Sequence, residues 1–116
     1  MVKAKFNPTE VRKISLEFAA MLEANKIKVR KIILYGSYAR GNPRDFSDID
    51  LAIISPDFRG KNRLQIQEMI AVAVSGRKGA VVVVEPIGYT PEEYAYAKRE
   101  TFLGEIKETG LGIALN

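Results

Sequence analysis

Two aspartates, Asp48 and Asp50, stand one residue apart at the start of an apolar run from Ile49 to Ile54. Side chains alternate along an extended strand, so both carboxylates face one side while Ile49 and Leu51 turn into the core. Two like charges held that close are costly unless a cation lies between them. Hard divalent ions such as Mg2+ take carboxylate oxygens and keep some of their waters. Strand entrances also carry acids without binding an ion, so a further acid matters. Glu85 follows a run of valines, and a carboxylate there is expensive if buried alone. If its strand lies beside Ile49 to Ile54, Glu85 joins Asp48 and Asp50 as a third metal ligand. Otherwise it is an exposed residue just past a strand end. Convergent carboxylates suit the two-metal arrangement that clamps attacking and leaving oxygens in phosphoryl-type transfer.

Gly36, Ser37 and Arg40 supply a complementary set of groups. Glycine lets backbone approach a ligand closely. The N–H groups of a helical turn starting at Ser37, with the Ser37 hydroxyl, form an anion site. Arg40, one turn on, adds a charge-assisted contact to phosphate. An ordinary strand-to-helix turn would look the same locally. The stretch is neither a P-loop, since GxxxxGK[ST] is absent, nor the GxGxxG dinucleotide fingerprint.

Composition narrows the chemistry further. The 116 residues contain no cysteine and no histidine. Disulfides, thiolate metal sites and the usual general base are therefore excluded. A net charge of +4 fits a phosphate-bearing or polyanionic partner, or simply a mixed surface with excess lysine. No apolar run approaches a membrane span, and the N-terminus lacks the apolar core of a signal peptide, so a cytoplasmic location is expected. The absence of Cys, His and Trp, with abundant Lys, Arg and Glu, fits a heat-adapted source.

The elements that must position these residues form one domain spanning 1–116. Thr9 is a candidate cap for a helix whose apolar face carries Val11, Ile14, Phe18, Met21 and Leu22, ending near Asn25. A basic cluster, Lys26, Lys28, Arg30 and Lys31, leads into a strand from Ile32 to Tyr35. Ser37 is the candidate cap of the short turn that follows. The second strand is Ile49 to Ile54. A polar loop then precedes a helix with Ile66, Met69, Ile70, Ala73 and Val74 on one stripe, capped at Gly76. The valine run predicts a third strand over Ala80 to Glu85, buried on both faces as in the centre of an α/β layer. Pro86 to Tyr89 reads as a turn. Thr90-Pro91-Glu92-Glu93 is a capping box with proline at the first position, which assigns Glu92 and Glu93 to structure. Tyr94, Ala97 and Thr101 face inward on that helix. A last helix, Phe102 to Glu108, carries Phe102, Leu103 and Ile106 on its apolar face, and Leu111 to Leu115 forms a short terminal strand.

Gly36-Ser37-Tyr38-Ala39-Arg40-Gly41 followed by Ser47-Asp48-Ile49-Asp50-Leu51 resembles the GSxARG…SDIDL signature of nucleotidyltransferases of the DNA polymerase beta superfamily. The short chain is similar to the minimal nucleotidyltransferase (MNT) group. Glu85 to Tyr94 resembles the family's stretch from its third acid into the next helix, and Phe102 to Leu115 its C-terminal ending. The resemblance implies an α+β nucleotidyltransferase fold, a mixed β-sheet flanked by helices. It implies that Gly36 and Ser37 hold the nucleotide triphosphate with Arg40 nearby, that Asp48 and Asp50 bind Mg2+, and that Glu85 is the third carboxylate. The family usually has aspartate there, one methylene shorter. Two Mg2+ ions and ATP are the implied cofactor and substrate. Free-standing relatives are commonly paired with a small helical HEPN protein in toxin–antitoxin modules, where the MNT protein acts as antitoxin, in some cases by moving AMP onto a partner tyrosine. A chain this short leaves no room for a large acceptor domain, so a hydroxyl on a partner protein is the expected acceptor, within a homo- or hetero-oligomer.

Two other readings remain. The glutamate at position 85 keeps open a binding module that neutralises its partner by contact alone. A basic RNA-binding domain fits less well, since Tyr35, Tyr38 and Phe46 do not form a stacking motif.

Overall fold

In a computed structural model, which describes residues 4–76 and 83–115, a four-stranded sheet organises the chain. Its strands are β1 (Lys31–Tyr35), β2 (Ile49–Ile54), β3 (Val84–Tyr89) and β4 (Leu111–Ile113), in the order β3-β2-β1-β4. β1 pairs antiparallel with β2 and β4, while β2 and β3 run parallel. The sheet is therefore mixed, flanked by helices on both faces, as the expected α+β class requires.

Strand alternation sorts the core into two. On one face Ile32, Leu34, Ile49, Leu51, Ile53 and Val84 pack against α1 (Pro8–Ala24) and α3 (Arg63–Ala73). Phe18, Leu22, Ile66 and Ile70 lie at the centre of that layer, fully or almost fully buried. Burying each such side chain stabilises the fold by about 1.5–3 kcal/mol. On the other face Ile33, Ala52, Ile54 and Tyr89 meet Leu103 and Ile106 of α5 (Phe102–Thr109), with Tyr94 and Ala97 at the margin. The remaining helices are short: α2 (Ser37–Arg40), a 3-10 turn at Pro56–Phe58 and α4 (Pro91–Ala95).

Several local expectations are corrected. The α1 cap is Asn7, not Thr9: the Asn7 side chain accepts the Glu10 N–H at 2.8 Å, and Glu10 accepts the Asn7 N–H at 2.9 Å. Pro8 then takes the first helical position, where its missing N–H costs nothing. Gly36, not Ser37, is the N-cap of α2, with no side-chain bond. α3 stops at Ala73, before Gly76. The helix begun at Thr90 ends at Ala95, and Thr101 is the exposed cap of α5 rather than an inward residue. Phe102 is exposed rather than packed on the apolar face of α5.

The largest correction concerns β3. Half of the expected strand at Ala80 to Glu85, residues 80–82, lies outside the described residues. The paired segment is Val84–Tyr89, so Pro86 to Tyr89 is strand and not turn, and β3 is an edge rather than a central strand. Tyr89 turns its carbonyl to β2, where it accepts the Ser55 N–H at 3.0 Å. By alternation Pro86 and Gly88 turn their backbone outward, so the proline removes no ladder bond. α3 closes that edge. Gln67 donates to Pro86 O at 3.1 Å and accepts the Gly88 N–H at 3.4 Å, and Arg63 donates to Gly88 O. α3 also lies so close that a Cβ at Gly88 would stand 2.5 Å from Ile66 Cγ2 and 2.7 Å from Phe58 Cε2.

Candidate active site

The register places Tyr35 opposite Asp50 and Asp50 opposite Glu85. All three side chains belong to the sheet face covered by α5, in one row at the end of the strands. The condition set by the sequence is met: Glu85 lies on the strand beside Asp50. It is the second residue of β3 and is exposed. Asp48 precedes β2, shares the parity of Asp50 and is exposed, whereas Asp50 is half-buried. A turn presents Asp48, in which Ser47 donates its N–H to Arg44 O at 3.1 Å and accepts the Arg44 N–H on Oγ at 3.0 Å.

Gly36 joins this row to α2. Its backbone has φ 75° and ψ −153°, a region open in practice to glycine alone. A Cβ there would fall 2.2 Å from Asp50 Oδ2. The missing side chain is thus what admits the Asp50 carboxylate beside the turn. Arg40 closes the first helical bond, its N–H donating to Gly36 O at 3.1 Å. The N–H groups of Ser37, Tyr38 and Ala39 precede that bond and point from the helix start.

Electrostatics mark the row as crowded with negative charge. The Asp50 carboxyl is pushed above its ordinary value, first by burial, then by Glu85 and Asp48, with Arg40 opposing. The Tyr35 hydroxyl is pushed up to about 12 by burial, with Asp50, Tyr89 and Glu85 adding to it. Among the described residues no group of His, Cys, Asp or Glu is already gathered tightly enough to cage an ion. The donor set nonetheless fits a hard cation. It consists of carboxylates whose mutual repulsion such a cation relieves, beside a glycine cradle that keeps one of them close to the turn.

The structure brings Gly36, Arg40, Asp48, Asp50 and Glu85 to one end of the sheet. It separates Glu92 and Glu93 from them. Glu93 accepts the Thr90 N–H at 2.8 Å, and Glu92 takes a paired contact from Arg59 at 2.8 and 2.6 Å. Both are structural, as the capping box predicts. Sequence reasoning passed over Tyr35 as a neighbour of the acids. Its place immediately before Gly36, on a strand paired with that of Asp50, was the available signal. Phe102, whose ring lies 5.7 Å from that of Tyr35 at 86°, carried no local signal.

A family model described as a nucleotidyltransferase domain matches residues 11–109, which takes in every site residue above. No curated protein matches the chain. Among solved structures, the crystal structure of a "putative nucleotidyltransferase" from Sulfolobus solfataricus superposes with a TM-score of 0.62 at 18% identity, covering 90% of this chain and 79% of that one. At that identity the likeness shows a shared fold.

Proposed function

Because the chain belongs to the nucleotidyltransferase domain family, we propose that it moves a nucleoside monophosphate, AMP from ATP, onto a hydroxyl of a partner protein of the helical HEPN kind, acting as an antitoxin. The observation that carries this reading is the row of Asp50 and Glu85 in register, with Gly36 shaped to admit Asp50 beside the start of α2.

In this reading Gly36, Ser37 and the first N–H groups of α2 hold the β- and γ-phosphates, and Arg40 offsets their charge. Asp48 and Asp50, with Glu85 beside them, would hold Mg2+. When bound, it neutralises phosphate charge and lowers the pKa of the acceptor hydroxyl. Glu85 accepts the acceptor proton. The acceptor oxygen bonds to the α-phosphorus, the bond from that phosphorus to the bridging oxygen breaks, and pyrophosphate leaves with the electron pair. The HEPN partner and the antitoxin role rest on the motif resemblance. Asp48, Glu85 and Arg40 are all exposed, which supports an acceptor arriving from outside the domain.

The test supplies labelled ATP, Mg2+ and the partner protein. Label should move to the partner, and Asp48→Asn with Asp50→Asn should abolish the transfer. Undiminished transfer by that variant would contradict the proposal. A second reading, neutralisation by contact alone, rests on the glutamate at position 85, where the resembled signature usually has the shorter aspartate. It predicts a complex that forms without nucleotide and survives loss of both aspartates.

A further inference from the structure

Resting on the nucleotidyl-transfer reading, we infer that the Tyr35 hydroxyl donates a hydrogen bond to a non-bridging oxygen of the α-phosphate, which makes Tyr35 a further catalytic residue. Tyr35 borders both halves of the site. It directly precedes Gly36 in the chain, and its strand register sets it opposite Asp50. Side chains in such a pair start about 4.5–5.5 Å apart at Cβ. The ring and the hydroxyl have different surroundings. The ring packs against the apolar layer of α5 and meets Phe102 in a T-shaped contact at 5.7 Å, which fixes its direction. The hydroxyl has no hydrogen-bond partner among the described residues. No buried side-chain nitrogen or oxygen among them lacks one, so this hydroxyl is open to solvent. Besides burial, the groups that act on it electrostatically are Asp50, Tyr89 and Glu85. Tyr38, on the other flank of the Gly36 turn, differs: its hydroxyl accepts the Phe6 N–H at 3.2 Å and so serves the fold.

Position selects the ligand atom. With the β- and γ-phosphates at Gly36 and Ser37 and the α-phosphorus at Asp50 and Glu85, the triphosphate runs from the end of β1 towards β2 and β3. Tyr35 lies between those anchor points, alongside the α-phosphate. A phenol titrates near 10, so at neutral pH it is a donor. Asp50 does not take its bond: that carboxylate leans to the Gly36 turn, where Oδ2 lies 2.2 Å from the place a Cβ would occupy. The arriving phosphate supplies the missing acceptor. When the acceptor oxygen attacks, five oxygens surround the α-phosphorus and charge builds on the non-bridging pair. A fixed donor aimed at that charge lowers the barrier more than it tightens binding of ATP. The hydroxyl keeps its proton throughout, and the acceptor proton still passes to Glu85.

Steady-state transfer from α-labelled ATP to the HEPN partner, with Mg2+ present, tests this on Tyr35→Phe, which keeps the ring against Phe102 and removes the hydroxyl. The kcat should fall roughly tenfold, with KM for ATP within about twofold and Tm no lower than wild type. ATP carrying sulfur in place of one non-bridging α-oxygen supplies a second readout, because sulfur accepts hydrogen bonds poorly. For one of its two diastereomers Tyr35→Phe should cost less than about threefold, while the other shows the full loss. An undiminished kcat, a loss confined to KM, or equal losses with ATP and both diastereomers would overturn the inference while leaving the transfer reading intact. A lower Tm with the same loss for every substrate would assign the hydroxyl to the fold and overturn it equally. If the wild-type chain moves no label, the transfer reading fails and this inference falls with it.

Discussion

Gly36 and Asp50 illustrate how one residue type makes another possible. The glycine occupies φ 75°, ψ −153°, and any side chain there would meet Asp50 Oδ2 at 2.2 Å. Gly36→Ala should therefore cost about 1–3 kcal/mol of stability from backbone strain, seen as a lower midpoint in urea. It should also reduce transfer by more than about tenfold, because the carboxylate must move away. Asp50 predicts the opposite combination. Its carboxyl is raised above its ordinary 3.8 by burial and by Glu85 and Asp48. A group that binds its proton more tightly in the folded state makes stability fall as pH rises, over the interval between its ordinary and raised values. Asp50→Asn should remove that slope and raise the Tm of the metal-free protein at neutral pH while abolishing transfer. A Tm below wild type would show that the charge crowding is not a cost.

At the scale of elements, the edge strand β3 depends on α3. Gln67 answers the outward backbone of Pro86 and Gly88, and Arg63 lies over the Tyr89 ring at 4.7 Å while donating to Gly88 O. Open strand edges invite pairing with another chain. Gln67→Ala should cost about 1 kcal/mol and increase self-association, read by denaturation and light scattering. Unchanged stability and unchanged size would remove this role from Gln67. The same strand shows where sequence reading reached its limit. β2 was legible to the residue because Ile49–Ile54 is an apolar run broken by Asp50 alone and bounded by Ser55-Pro56. β3 was misplaced because a valine run outweighs a proline and a glycine in propensity. What makes Pro86 and Gly88 acceptable is the edge position and the side chains of α3, and neither is a local property. The α1 cap was misread for a smaller reason. Asn7 and Thr9 are both capping types, and Pro8 between them fits the first helical position of Asn7 alone.

Across the whole molecule, two apolar layers hold one sheet, and the chemistry gathers where the strands end. Among the described residues no helix is long and apolar enough to cross a membrane. The acids and the glycine turn of the site were legible because Gly36 to Asp50 is one stretch of chain. The place of Glu85 beside Asp50 needed strand order, which the sequence offered only as a condition. A nucleotidyltransferase moves the α-phosphate of its substrate, whereas a phosphotransferase moves the γ-phosphate. The most direct measurement compares ATP labelled at the α-phosphate with ATP labelled at the γ-phosphate, each incubated with Mg2+, the protein and its partner. Nucleotidyl transfer leaves α-label on the acceptor and releases γ-label in pyrophosphate. Label retained from the γ-position, or none retained from the α-position, would contradict it.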